Sequence, residues 1–167
     1  MKSRLLTGVG LLVLLVGVAG FMGLWPDFER DARQAEAALA SGINLFDQRQ
    51  YEEALVALEQ VPAGSPQEAR AHYYRGSSQL MLKDYEAAAR EFEQALALQP
   101  EDPGTLYGLG VAYFRLGNLK LSKSYFASVL EINPNDEQAR GLMDIMAKLE
   151  RQSEAAPAPE SEDDTDN

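Results

Sequence analysis

Two hydrophobic patterns divide the chain. From Leu5 to Trp25 the sequence LLTGVGLLVLLVGVAGFMGLW holds 21 residues without a charge. As one helix rising about 1.5 Å per residue it would span roughly 31 Å, close to the ~30 Å hydrocarbon core of a bilayer. From Phe28 onward the apolar residues instead recur at helical spacing, interrupted by turn residues. That spacing predicts helices over about 28–48, 52–61, 67–81, 85–98, 103–116, 119–132 and 136–151, an all-α chain.

The helical part repeats itself. Gly42, Gly76 and Gly110 stand 34 residues apart, as do Pro66, Pro100 and Pro134. Ala54, Ala88 and Ser122 keep the same interval, with Leu58, Phe92 and Phe126, Val61, Ala95 and Val129, and Tyr51, Tyr85 and Leu119. Six columns in one register mark a repeat architecture. Each column has a physical task. The glycine lies midway along a first helix, and the Ala/Ala/Ser column supplies the matching small residue on the second, so the two backbones approach closely. Leu58, Phe92 and Phe126 fill the space beside that contact. The prolines follow each second helix, where a missing N–H costs nothing. Ser65-Pro66-Gln67-Glu68 reads as a capping box with proline at the first helical position, and Asp102-Pro103 repeats the cap-then-proline order.

A 34-residue helix–turn–helix with small, aromatic and proline residues at these offsets resembles the tetratricopeptide repeat (TPR) family over residues 35–136. The third copy matches best, with Leu106, Leu109, Gly110, Tyr113, Gly117, Phe126 and Pro134 at signature positions. In the second, Gln79 replaces the usual aromatic; in the first, Ala38 and Ser41 stand where larger residues are usual, and Pro62 shortens the second helix. The resemblance implies three tandem repeats, 35–68, 69–102 and 103–136, forming a short right-handed superhelix. A helix over 137–152, with Leu142, Met143, Ile145, Met146 and Leu149 on one stripe, would cap the last repeat. Residues 27–34 form a stalk, and 153–167 an acidic tail.

Charge sets the expected orientation. Lys2 and Arg4 precede the apolar run, while Asp27, Glu29 and Asp31 follow it, mixed with Arg30 and Arg33. The positive-inside rule places the N-terminus in the cytoplasm and the repeats beyond the cytoplasmic (inner) membrane, with Trp25 at the interface and residues 5–25 in the bilayer. The alternative for residues 1–26 is a cleaved signal segment. Gly17-Val18-Ala19 suits cleavage, but the run exceeds the roughly 7–15 residues of a signal core. Gly10, Gly17 and Gly20 fall near one helix face, and Ala19 and Gly23 make a small-xxx-small pair; the favoured reading is that glycine is simply common in membrane helices, and the alternative is a helix dimer, and with it a homo-oligomer.

Composition narrows the chemistry. With no cysteine, disulfides, thiol nucleophiles and thiolate metal sites are excluded, and so is a lipid-modified cysteine. His72 is the only histidine, so no multi-histidine metal site exists, and neither a metal nor a cofactor is expected. A net charge of −11 opposes binding to nucleic-acid phosphates. Six of the acids, Glu154, Glu160, Glu162, Asp163, Asp164 and Asp166, fall in the tail, which carries no base and has the composition of a solvating segment. His72 and Arg75 occupy positions that usually pack between helices, and both are expected to be structural. No phosphate loop, supported acid pair or nucleophile–base set occurs, and no enzyme is expected.

The resemblance places a concave surface along the first helices. Its expected lining is Leu39, Ile43 and Phe46, then Tyr73, Ser77 and Leu80, then Tyr107, Val111 and Phe114, with Glu36, Arg70 and Arg115 at the edges. Such a surface suits an apolar or amphipathic helix, or an extended peptide with hydrophobic anchors. Tyrosine and aromatic residues at these positions also pack neighbouring helices, and a segment of the chain itself could fill the groove. Members that grip a C-terminal carboxylate use Lys, Asn and Arg at positions that here hold Leu39, Ile43, Tyr74, Gly104 and Gly108, so a carboxylate clamp is excluded. The expected function is a membrane-tethered adaptor or assembly factor of the bacterial cell envelope. Its repeats, periplasmic and close to the bilayer, would hold a membrane-associated protein client. The alternative is a self-associating scaffold.

Overall fold

The structure, a computed structural model, describes residues 30–155; the expected membrane span, the first three residues of the stalk and the tail beyond 155 lie outside the described residues. Within them stand seven helices and no strand. Helix α1 covers 30–47. It is followed by α2 (Tyr51–Leu58), α3 (Glu68–Met81), α4 (Tyr85–Leu98), α5 (Pro103–Arg115), α6 (Leu119–Ile132) and α7 (Glu137–Ala155). No helix among the described residues is long and apolar enough to cross a membrane.

Extensive packing joins consecutive helices from α2 to α7, and also α3 to α5, the first helices of adjacent repeats. That is the arrangement expected of a stack in which each pair leans on the next. The expected bounds hold closely from α3 to α6. Two elements differ. Helix α2 ends at Leu58 and not near residue 61, because the chain tightens into i→i−3 bonds (Gln60 N–H to Ala57 O, Val61 N–H to Leu58 O) before Pro62. Helix α7 runs to Ala155, three residues into the segment assigned to the tail.

The turn inside each repeat is one motif used three times. The residue after the first helix's last turn is left-handed: Arg49 (φ 63°), Lys83 (φ 66°) and Gly117 (φ 76°). The next N–H closes back five residues, Gln50 to Leu45 O, Asp84 to Gln79 O and Asn118 to Tyr113 O, each at 2.9 Å. This is the closing bond of a Schellman turn. The same residue then starts the second helix. Asp84 accepts the Ala87 N–H at 3.0 Å and Asn118 the Leu121 N–H at 3.2 Å, whereas Gln50 makes no such bond.

Between repeats the caps are uneven. Asp102 accepts both the N–H (2.7 Å) and the hydroxyl (2.6 Å) of Thr105, with Pro103 in the first turn as expected. The capping box expected at Ser65 does not form. Helix α3 begins only at Glu68, whose carboxylate takes the Gly64 N–H at 2.7 Å, and the Ser65 hydroxyl is buried without a partner among the described residues. The nine-residue connection from 59 to 67 places Ser65 one turn too early for a reciprocal cap.

The glycine columns fix how closely the helices approach. A Cβ on Gly42 would stand 2.4 Å from Leu58, on Gly76 2.9 Å from Phe92, and on Gly110 2.7 Å from Phe126. The large side chain therefore sits on the glycine itself and not merely beside it. Behind it the Ser122 hydroxyl donates to Gly110 O at 2.8 Å, joining the two backbones directly. A second glycine, Gly108, meets the tip of the Phe92 ring, with Cβ-to-ring distances of 2.5 Å (Cζ), 2.7 Å (Cε1) and 2.8 Å (Cε2). Phe92 is thus wedged between α3 and α5. At the preceding junction the repeat-equivalent pair is Leu58 and Tyr74, a smaller wedge against a larger wall.

The apolar stripe of α7 divides in two. Met146 and Ala139 are buried against Leu106, Phe126 and Val129, with Leu142 and Met143 packed on the same cluster, so the helix covers the last repeat. Ile145 and Leu149 were expected on that inner stripe, but they are 46% and 42% exposed. A straight helix turns them past the edge of α6, to which α7 is tied by Lys123 and Glu150 at 2.7 Å.

Candidate protein-binding groove

The first helices bring eight of the nine expected residues to one half-buried face: Ile43 and Phe46 on α1, Tyr73, Ser77 and Leu80 on α3, and Tyr107, Val111 and Phe114 on α5. The ninth is a correction. Leu39 is 1% exposed and forms core with Leu58 and Ala71. It is short enough to sink against a small alanine on the next helix, where the tyrosines at the equivalent positions are too long and stay at the surface.

Aromatic contacts run along this face. Phe46 meets Tyr74 edge-on at a 5.6 Å centroid separation, and Tyr74 meets Tyr73 at 5.2 Å. Tyr73 leans on Phe92 at 5.9 Å, and Tyr107 on Phe126 at 5.5 Å. Phe46–Tyr74 joins two repeats, whereas Tyr73–Phe92 and Tyr107–Phe126 each tie the two helices of one repeat, the packing role expected of these rings. Tyr74, weighed from sequence only as a clamp position, is the ring that joins repeats one and two. Burial raises the pKa values of Tyr73 and Tyr107, the latter also through the charge of Asp136, so both phenols are protonated donors at neutral pH.

Two depressions flank Arg70. One, of about 310 Å³, is lined by Glu36, Ala40, Ile43, Asn44 and Asp47 over the floor made by Leu39. The other, of about 390 Å³, lies among Tyr73, Tyr74, Gln99, Asp102 and Gly104. Gly104 opens the second, since a Cβ there would stand 3.2 Å from the Tyr73 ring. Arg70 is exposed between them, while its neighbour Gln67 donates to Glu36 at 3.0 Å. This mix of ring edges, one cation and flanking acids accommodates a peptide with apolar anchors and polar flanks. Gly108 faces Phe92 and has no room for a side chain, which removes one clamp position on steric grounds.

The titratable cluster of repeat two lies elsewhere. His72 Nδ1 is 2.7 Å from Glu91, and Arg75 is 2.8 Å from the other oxygen of the same carboxylate, bridging α3 to α4. Both residues have the structural positions expected of them. Gln79, which replaces an aromatic, leaves its amide oxygen buried and without a partner among the described residues. No group of three or more His, Asp or Glu converges to hold a metal among the described residues.

Family profiles described as tetratricopeptide repeat match residues 39–103 and 79–149, two overlapping spans that together run from 39 to 149. Residues 39–149 are tetratricopeptide repeats. No curated protein sequence matches the chain significantly. Among solved structures, the first TPR of Spaghetti (RPAP3) bound to the HSP90 peptide SRMEEVD is similar at 23% identity and a TM-score of 0.68, covering 72% of this chain and 95% of that one. The second TPR domain of human RPAP3, in complex with the HSP70 peptide SGPTIEEVD, is similar at 24% identity and a TM-score of 0.63, over 71% and 97%. The Hsp90 co-chaperone Cns1 from Saccharomyces cerevisiae matches at 19% identity and a TM-score of 0.70, over 75% of this chain and 42% of that one. At these identities the likeness establishes the TPR fold, whose known forms include modules that bind peptides of other proteins.

Proposed function

We propose that the chain is a membrane-tethered adaptor of the bacterial cell envelope that holds a segment of a client protein in the concave TPR groove. The apolar run 5–25 would fix it in the cytoplasmic membrane with the repeats on the far side, and the client would itself be membrane-associated. The reading carries no catalytic step and no cofactor. Its main support is the open face along α1, α3 and α5, where half-buried rings border two depressions on either side of Arg70. TPR domains of similar fold have been solved with an HSP90 or an HSP70 peptide bound.

The peptide class differs from that of those neighbours. Leu39, Ile43, Tyr74, Gly104 and Gly108 provide no cationic or amide side chain for a terminal carboxylate. Calorimetry with the peptide SRMEEVD is expected to give no measurable heat of binding; a micromolar dissociation constant would overturn the assignment of groove chemistry.

The function itself is tested by affinity capture from detergent-solubilised membranes, comparing wild type with Arg70→Glu/Ser77→Arg. Both substitutions alter the groove surface without removing a buried ring. The expected result is loss of one membrane protein at unchanged helicity. An identical captured set, or capture of soluble proteins alone, refutes the reading. Persistent self-association of the purified chain with no client lost would favour a scaffold instead, and Ile145 and Leu149 supply an exposed apolar pair for it.

A further inference from the structure

Helix α7 carries an exposed strip that the repeats do not use. Ala139 and Met146 turn its inner side into the core. Gln138, Gly141, Ile145, Leu149 and Gln152 are all exposed. At about 100° per residue these five share an arc of about 80°, centred roughly 110° away from the Ala139–Met146 line. The strip holds no charge, whereas Glu137, Arg140, Asp144, Lys148 and Arg151 fill the adjoining exposed arc. Gly141 is unlike the other helical glycines. Gly42, Gly76, Gly108 and Gly110 each seat a large side chain, but a methyl group on Gly141 would meet no atom within 4 Å. Glycine inside an exposed helix costs stability relative to alanine, and nothing in the chain's own packing calls for it there.

The strip also reads the same in both directions. Its members are separated by 3, 4, 4 and 3 residues, with a glutamine at each end and Ile145 at the centre. Reversal about Ile145 places Gln138 on Gln152 and Gly141 on Leu149. We propose that α7 pairs with α7 of a second copy of the chain, antiparallel about a two-fold axis at Ile145. Such an interface presents one patch to itself, so each contact occurs twice. The Leu149 side chain of each copy covers Gly141 of the other, and the two Ile145 side chains meet on the axis. The end glutamines, which both donate and accept, pair as Gln138 with Gln152. On the rim Asp144 and Lys148 exchange places across the axis, so each lies within about 3 Å, measured along the helix, of the opposite charge in the other copy. Contact through an uncharged strip avoids the repulsion between two chains of charge −11. A client of unrelated sequence has no use for this reversal symmetry. The two depressions flanking Arg70 have no α7 residue in their lining, so a pair leaves both grooves open to clients.

The chain has no native cysteine, so single cysteines report the pairing directly. In the full chain in mild detergent, Ile145→Cys should form a disulfide-linked dimer on oxidation. Gly141→Cys and Leu149→Cys should each stay monomeric alone and link when mixed, because a disulfide needs Cα atoms within about 7 Å. Arg140→Cys, on the far side of the helix, should not link. Self-linking of Gly141→Cys and Leu149→Cys as efficient as that of Ile145→Cys marks a parallel pair and overturns the proposal, as does equal linking of Arg140→Cys. Sedimentation equilibrium of the cysteine-free chain supplies a reading without crosslinks. Wild type should show a reversible rise toward the dimer mass, lost in Ile145→Glu at unchanged melting temperature of the dilute chain, since Ile145 is 46% exposed. A wild type that remains monomeric, or an association that survives Ile145→Glu, overturns the proposal.

Discussion

Gly108→Ala isolates the packing that joins the second and third repeats. In an unconstrained helix this substitution stabilises by about 1 kcal/mol, because alanine loses less backbone entropy than glycine. At Gly108 the new methyl group would stand 2.5 Å from Phe92 Cζ and within 2.8 Å of two further ring carbons. Carbon–carbon contact is optimal at roughly 3.5–4.0 Å, so the ring must retreat by about 1 Å. It has nowhere to go. Along Cγ, Cδ1 and Cε1 the ring already presses on Gly76, where the corresponding distances are 2.9–3.0 Å. Overpacking of this kind costs about 1–3 kcal/mol, and with contacts this short on three ring atoms the upper half of that range applies, leaving a net loss of up to about 2 kcal/mol after the helical gain. For a domain of this size that is a fall in melting temperature of up to about 8 °C. The matched control is Gly141→Ala on α7, where no atom lies within 4 Å of the added methyl. It should gain about 1 kcal/mol. Urea titrations followed by circular dichroism give both values, read from the midpoints at constant slope. The reasoning is refuted if the two variants move in the same direction.

The repeated turns offer two further tests, and the tyrosines a third. Gln50→Asp should supply α2 with the cap that Asp84 and Asn118 give α4 and α6, stabilising by about 1 kcal/mol and slowing hydrogen exchange across Tyr51–Leu58. Lys83→Gly should relieve a left-handed residue and stabilise by about 1 kcal/mol in the same titration, whereas Gly117→Lys should lose a similar amount. Tyr113 donates to Glu93 at 2.6 Å, and this bond, with burial and the carboxylate charge, pushes its pKa up to about 12. The folded state holds that proton more tightly than the unfolded chain. Its contribution is therefore complete below pH 10 and declines as pH rises toward 12. Melting temperatures of Tyr113→Phe should fall less steeply than wild type across that window.

What could be read from the sequence follows from which residues announce their task. Glycine, proline and a large ring at fixed intervals identify the helix pairs, because each is tolerated at few positions and all recur together. Of the three left-handed turn residues only Gly117 is of the type that advertises the conformation, since Arg49 and Lys83 adopt it without being glycine. Gly108 was read as a missing clamp side chain, whereas it is a seat for Phe92. The signal lay in the exchange of Leu58 and Tyr74 for Phe92 and Gly108, a compensation of volumes across two junctions that no single column reveals. Leu39 was misplaced for a related reason: its depth depends on Ala71 in the next repeat, a partner 32 residues away. The failed capping box at Ser65 reflects the length of the connection and not its composition.

That connection separates two kinds of joint. Four residues link α4 to α5 and again α6 to α7, but nine link α2 to α3, and the shorter Leu58 replaces the phenyl wedge there. The second and third repeats thus behave as one stiff block with the final helix, while the first repeat rides on a longer strap. Any adjustment of groove width to fit a guest is concentrated at the Phe46–Tyr74 seam, beside the depression over Leu39. An insertion in the 59–67 strap would change the reach of the first repeat, whereas one in the three tight turns would break a bond that both ends one helix and begins the next.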